Sequence, residues 1–528
     1  MRILVNAQFT SINNQLPFFS ALAIENGRIL ALGSNEELRA IASSSDSIED
    51  MQGRFLLPAF CDAHIHLLEY GRFLSKVNCE TSTLQTCLDN VRARAEKTPP
   101  GQWILGHGWN HNRWAEGYGN AKMFDEISNQ HPIYLTAKSL HAGWANTTAM
   151  NLAGIEASTA DPEGGQILRD AGGLPTGILL ESAMRLVENI IPEPNEDENI
   201  ESILRAQSGL NQYGITTIHD FDSWDIFPIL QRLEKEGRLS LRVVKGIPRP
   251  FLPKALEMGL RSGQRSGNLQ IGWLKLFSDG ALGPQTAALL QPYADQPGNS
   301  GMLLMDAEEI VEIGRQAVKN GIALAIHAIG DRANRVVLDA YRTIRKIESR
   351  LNLPHRHHRI EHIQLIQPAD QKRLAELGII ASMQPIHAIS DMEMAERYWG
   401  ERCPNAYAWN SLLKNGVSLA FGSDAPVESP NPFLGLAAAV SRRRLDADTT
   451  SVGWHAEECL TFEQAFRAYT MGPAYAAGLE ESLGKLAPGY GADLIVLNKD
   501  PFRLPAQDLA GMLPEKTMMR GEWVWERE

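Results

Sequence analysis

The chain has 528 residues, more than one typical domain, and is 44% hydrophobic and 21% charged, the profile of a soluble globular protein with a large core. Its 50 basic and 63 acidic residues leave a net charge of −13 with no Lys/Arg tract, which argues against nucleic acid or an anionic membrane as a partner. The stretch LPFFSALAI is too short to span a bilayer and lacks the basic flank and cleavage site of a signal peptide; with five scattered cysteines (61, 79, 87, 403 and 459) and no C-x-x-C pair, the expectation is a cytoplasmic protein with reduced thiols.

In chain order, the first predicted element is a hairpin. The apolar runs of FFSALAIENGRILALGS flank Asn26-Gly27, a strong turn dipeptide. Next comes RFLLPAFCDAHIH, read as one strand ending on His64 and His66. Seven more short apolar strands follow: GITTIHD, SLRVVKG, GWLKLFSDG, IALAIHAIG, HRIEHIQLI, GIIASMQP and VSLAFGSDAP. Amphipathic helical stretches such as AEEIVEIGRQAVKNG and PADQKRLAELG lie between them. Eight strands alternating with helices predict an α/β fold, a (β/α)8 TIM-like barrel. Gly214, Gly321, Gly378 and Gly416 stand between helix and strand, where a helix C-cap places glycine. Thr461 and Gln464 form a capping box that opens a further helix. About 145 residues separate the first strand from GITTIHD, too many for one βα unit, so residues 75–200 read as an insertion. Near the C-terminus ADLIVLN and TMMRGEWVWE read as strands, so both chain ends are β-rich.

Metal-competent residues recur at the strand ends. Positions i and i+2 of a strand share a face, so His64 and His66 project together, about 6–7 Å apart along the backbone. Two imidazoles so placed can converge on one ion at about 2.0–2.1 Å each. Lys275, His327, His362 and Asp424 fall at or near the ends of the fourth, fifth, sixth and eighth strands. Barrel enzymes build their active sites on that face, and four imidazoles with a carboxylate suit zinc or a similar divalent ion. Each residue has an ordinary alternative. His327 could be a packed core histidine and Asp424 a turn residue beside proline. The cluster HRHHRIEH reads as a solvated loop at His355, His357 and His358. Lys275 is harder to set aside, because it interrupts GWLKLF, where an unpaired ammonium is costly.

With these motifs the chain resembles the amidohydrolase superfamily, in particular the amidohydrolase family 3 branch that includes N-substituted formamide deformylase-like enzymes. The resemblance rests on DAHIHL, SLHAGWANTTAM, KLFSDGALGPQTAAL, AIHAIGDRAN, RIEHIQ, GSDAPV and GKLAPGYGADLIVLNKDP, and covers essentially the whole chain. It implies three parts: a composite β-sandwich of residues 1–57 and 481–528, a barrel of residues 58–74 and 201–480, and an inserted α/β domain of residues 75–200. It also implies that His64, His66 and Asp424 bind the more buried metal and that His327 and His362 bind a second. Lys275, carbamylated by CO2, would bridge the two. Burial favours the neutral amine that carbamylation needs. One ion or two, zinc foremost, is the expected cofactor.

The implied activity is hydrolysis of an amide or formamide-like C–N bond of a small molecule by a metal-activated water, with Asp424 as general base and then proton donor to the leaving amine. His141, Trp144 and Asn146 are candidates for a substrate wall, with Trp109, His111, Gln384 and His387 as further lining; ordinary packing is the alternative for the tryptophans. A mononuclear deaminase of a ring substrate is a second reading. Such relatives carry H-x-x-E and no strand-four lysine, whereas His327 is followed by Ala-Ile-Gly and Lys275 is present. A third reading is a non-catalytic binding or regulatory protein on the same scaffold. The six intact positions weigh against it. A homo-oligomer stays open.

Overall fold

The computed structural model describes residues 1–9, 19–139, 141–444 and 452–527, so that Phe18 of the expected hairpin and Leu140 of SLHAGWANTTAM lie outside the described residues. Two compact units result, one of Met1–Tyr70 and Ile203–Glu528, the other of Gly71–Ser202.

In the larger unit, eight strands pair in chain order. They are β1 (Phe60–Ile65), β2 (Ile215–Asp220), β3 (Arg242–Pro248), β4 (Leu269–Phe277), β5 (Ala323–Ala328), β6 (Arg359–His362), β7 (Ile380–Met383) and β8 (Leu419–Phe421). Every neighbouring pair is parallel, and β8 lies against β1, making a nearly closed barrel. All residues of β1, β2, β5, β6 and β7 are buried, as parallel strands covered on both faces must be. Helices Ile226–Lys235, Ala307–Lys319, Asp331–Arg350 and Pro368–Leu377 alternate with them. Gly214, Gly321, Gly378 and Gly416 all have φ between 60° and 82°, the left-handed conformation that ends a helix at least cost in glycine. The Thr461–Gln464 capping box is formed in both directions.

Three sequence expectations are corrected. RFLLPAFCDAHIH is two strands, because Pro58 cannot donate to a ladder and the chain changes sheets after it. TMMRGEWVWE is a hairpin, Lys516–Met519 and Glu522–Glu526, turned by Arg520 and Gly521 at φ 51° and 81°. His358 is no loop residue. It leads directly into β6 and is fully buried, its Nδ1 accepting the Leu324 N–H at 3.0 Å and its Nε2 lying 3.2 Å from Glu348.

The chain ends form two further sheets. One orders Arg28–Gly33, Ala21–Glu25, Arg2–Val5 and Ser47–Asp50; the other orders Gln8–Phe9, Phe55–Pro58, Leu494–Leu497, Lys516–Met519 and Glu522–Glu526. Leu22, Ile24, Leu56, Leu494, Val496 and Met518 join them in one core. The unit of residues 71–202 has its own six-stranded mixed sheet, from Gly165–Arg169 at one edge to Val77–Asn78 at the other. Its core includes Trp109, Trp114, Phe124 and Trp144. All five cysteines are free. Among the described residues, no helix is long and apolar enough to cross a membrane.

Candidate metal centre

The C-terminal ends of β1, β4, β5, β6 and β8 bring six polar side chains together. His64 Nε2 and His66 Nε2 lie 3.6 and 3.5 Å from Asp424 Oδ1. Lys275 Nζ is 3.5 Å from His64 Nε2. The His362 ring sits 4.9 Å from that of His64 and 4.7 Å from that of His327. Among the described residues, three groups of donor atoms fall within 4.8 Å of one another; two are at this site, His64, His66 and Asp424, and His362, His387 and Asp424, and the third is Glu396, Cys403 and His455. His387, on the first turn of the helix after β7, thus joins the cluster, and its buried Nε2 has no hydrogen-bond partner.

Each imidazole is held from behind by an acceptor. His64 Nδ1 donates to Glu361 Oε2 at 2.6 Å, and Glu361 is itself gripped by Arg359 at 2.5 and 2.8 Å. His66 Nδ1 lies 3.4 Å from Asp222 Oδ1. His327 Nε2 donates to the Gly280 carbonyl at 2.9 Å, with Asp279 3.5 Å away. His362 Nδ1 donates to Gln384 Oε1 at 2.9 Å. A carbonyl or carboxylate can only accept, so in each ring the nitrogen facing it carries the hydrogen. The other nitrogen keeps a lone pair in three of them: Nε2 of His64 and His362, and Nδ1 of His327; His66 lies between two carboxylates, Asp222 at Nδ1 and Asp424 at Nε2. Such outer partners are what orient ligating histidines in metal sites.

The backbone is committed to this arrangement. His362, Ile363 and Asp424 adopt φ of 76°, 43° and 60°, a region costly for a side chain with a Cβ. The Asp424 N–H donates to the His64 carbonyl at 2.7 Å, tying β8 to β1. Asp62 reinforces that tie, accepting from the His64 and Ser423 backbone N–H groups at 3.0 Å each and from Ser423 Oγ at 2.5 Å. Burial raises the Asp62 carboxyl to about 7 against those bonds.

The charges are distributed unequally. Burial, with the Lys275 charge, lowers His64 to about 4. Burial works against His66 as well, but its bonds to Asp222 and Asp424 raise it to about 10. Asp424 is pushed up by burial and pulled further down by His66, His64 and His362, ending well below the usual carboxylate range. Burial drives Lys275 down to about 8, towards the neutral amine. Inward lone pairs on several imidazoles, an ionised carboxylate and a lysine easily made neutral fit a divalent cation bound through nitrogen and oxygen.

The sequence candidates of residues 71–202 are engaged within that unit. Trp144 and Trp109 are fully buried in the aromatic core of residues 71–202. Trp144 stacks on Phe124 at 4.0 Å, and Trp109 Nε1 donates to the Leu135 carbonyl. Asn146 is the N-cap of Thr147–Leu152 and spends its side chain on Ile133, Ala149 and His131. These three are packing and capping residues, which corrects the expectation of a substrate wall there. His141 is exposed, pairing with Glu181 at 3.0 Å, and His111 stacks on Tyr118 at 3.9 Å. Gln384 orients His362. Sequence reasoning missed Glu361, Asp222, Asp62 and Asp279. Their signal was an acid one or two residues from a candidate histidine, or two beyond the end of β2 or β4, which is too common to single out.

A model described as the amidohydrolase family matches residues 47–525. The chain is 32% identical over 523 residues to Protein LONG AFTER FAR-RED 3 of Arabidopsis thaliana, covering 96% of this chain and 89% of that one. It is 28% identical over 542 residues to N-substituted formamide deformylase of Arthrobacter pascens, covering 99% and 98%. A crystal structure described as an uncharacterized metal-dependent hydrolase from Pyrococcus furiosus superposes with a TM-score of 0.77 at 30% identity, covering 95% of this chain and 100% of the other. The chain therefore belongs to the amidohydrolase family, in its family 3 branch.

Proposed function

We propose that the protein is a metal-dependent hydrolase that cleaves an amide or formamide-like C–N bond of a small molecule. The observation that carries this is the set of inward, unshared imidazole lone pairs around Asp424, each fixed by an acceptor on the far side of its ring. His64, His66 and Asp424 would hold one ion, and His327 and His362 a second. Lys275, as its carbamate, would supply oxygen donors to both. An ion held there would supply Lewis acidity and lower the pKa of water at the site towards neutrality. Asp424, ionised and wedged between two histidines, accepts the proton of the attacking water. It then returns that proton to the leaving nitrogen, the usual work of a positioned carboxylate. His387 Nε2, buried and without a hydrogen-bond partner among the described residues, would hold a substrate oxygen. The formamide deformylase relative supports the substrate class. Residues 75–200 would act as an inserted α/β domain, and the sheets of the two chain ends as a composite β-sandwich.

The test combines elemental analysis with turnover of a panel of formamides, amides and carbamates on metal-replete protein. Stoichiometric zinc or another first-row divalent ion, with release of an amine from at least one class, is expected. Protein without stoichiometric metal, and with no turnover restored by adding any, would sink the proposal.

A further inference from the structure

A cavity of about 220 Å³ opens among residues at the starts of β3 and β4, the barrel end opposite the imidazole cluster. Gln270 on its wall and Lys275 at the metal centre are both on β4, five residues or roughly 16 Å apart at strand rise. Among the described residues, four arginines line the cavity and no carboxylate does. Arg242 and Arg265 come from the barrel, Arg28 and Arg520 from the sheets of the chain ends.

These guanidiniums are held in place mostly by neutral acceptors. Arg28 Nη1 donates to the Gly489 carbonyl at 2.7 Å. Arg265 donates through Nε to Gln270 at 2.7 Å and through Nη2 to the Gly478 carbonyl at 3.2 Å. Arg520 Nη1 donates to Asn268 Oδ1 at 3.1 Å. Among the described residues, Arg242 alone of the four has a carboxylate partner, Asp493 at 2.7 Å. Two further acids stand behind the lining. Glu480 acts on Arg265 through its charge, and Glu234 accepts the Asn268 N–H at 2.9 Å. A neutral acceptor orients a guanidinium without cancelling its charge, and each guanidinium has five N–H donors to share. So several donors stay available while the positive charges crowd one small space. Burial and the nearby Arg242 both lower Arg265 from its ordinary value. In a chain of net charge −13, such a concentration runs against the overall field.

We propose that this cavity binds a small phosphate-bearing anion, either inorganic phosphate or a compact phosphate ester, at a site separate from the metal centre. Forks arriving from separate elements match the several oxygens of a tetrahedral dianion better than the two of one carboxylate. The volume is below the roughly 300–1,000 Å³ of pockets for drug-sized ligands, which favours a compact anion over a whole nucleotide. Because the arginines come from both barrel and terminal sheets, the bound anion ties those parts together.

Isothermal titration of the full-length, metal-loaded protein with inorganic phosphate, and separately with glycerol 3-phosphate, tests this against sodium chloride at matched ionic strength. Binding of at least one probe is expected, weakened at least tenfold in Arg265→Gln/Arg520→Gln, with turnover in that variant unchanged. Binding of both probes assigns recognition to the phosphate group itself; binding of only one identifies the free ion or the ester as the source. Arg28→Gln, which gives up only the hydrogen bond to Gly489, provides the same contrast if the double variant does not fold. Equal affinity in wild type and variant would place any bound phosphate elsewhere, at the metal centre included, and overturn the proposal. Absence of binding by either probe would do the same.

Discussion

The strand ends of the barrel and the aromatic core of residues 71–202 are both buried, and both hold residue types associated with catalysis. They differ in what is left over once packing is complete. At the strand ends, His64, His327 and His362 each use one nitrogen on an outer acceptor and turn the other inward, that of His64 towards Lys275 and the Asp424 carboxylate. In the aromatic core, Trp109, Trp114 and Trp144 are consumed by one another and by Phe124, with ring centroids 4.0–6.3 Å apart. Trp144 Nε1 also lacks a partner, but it is a solitary donor enclosed by rings. The difference teaches that residue type does not make a site. Several unshared acceptor atoms gathered in one place, each held by a second partner, do.

The contrast can be broken most severely at Asp424. Asp424→Asn keeps the shape and most of the metal-binding capacity but removes the proton acceptor. A fall in kcat of roughly 10²–10⁴ is expected, with a smaller change in KM. Steady-state kinetics on variant protein of verified metal content reads this out; near-normal kcat would reduce Asp424 to a turn residue.

The aromatic core should answer in the opposite currency. Trp144→Ala removes a fully buried ring and is expected to cost about 3–5 kcal/mol of stability while leaving metal content unchanged. Denaturant unfolding and elemental analysis of the same sample separate the two effects. Loss of metal in a folded variant would return Trp144 to the site.

A smaller effect sharpens the role of the outer partners. Glu361→Gln removes the charge behind His64 and leaves Arg359 without its carboxylate. Metal affinity should fall about 10- to 100-fold, the usual consequence of losing an outer partner. Competition with a chelator of known affinity measures it. An unchanged affinity would mean that His64 needs no anionic support.

Much of this was legible in local sequence. The eight apolar runs, the glycines after helices and the Thr461–Gln464 box each depend on neighbours a few residues away, and all are present in the fold. The H-x-H spacing and the lysine inside GWLKLF are equally local, since strand geometry decides which face each occupies. What only the tertiary structure decided depends on partners far along the chain. Glu361 stands behind His64 across 297 residues, and Asp62 meets Ser423 across 361. The left-handed backbone at His362 and Asp424 is imposed by the barrel's strand ends and runs against the preference of those residues. His358, Trp144 and Asn146 look like exposed or ligand-facing groups in sequence, and burial or capping claims each of them. Periodicity and spacing can be read along a chain because they are set by the geometry of a single strand or helix. Which lone pairs remain unshared is set by what every other element brings to the same place, and that exists only once the chain has folded.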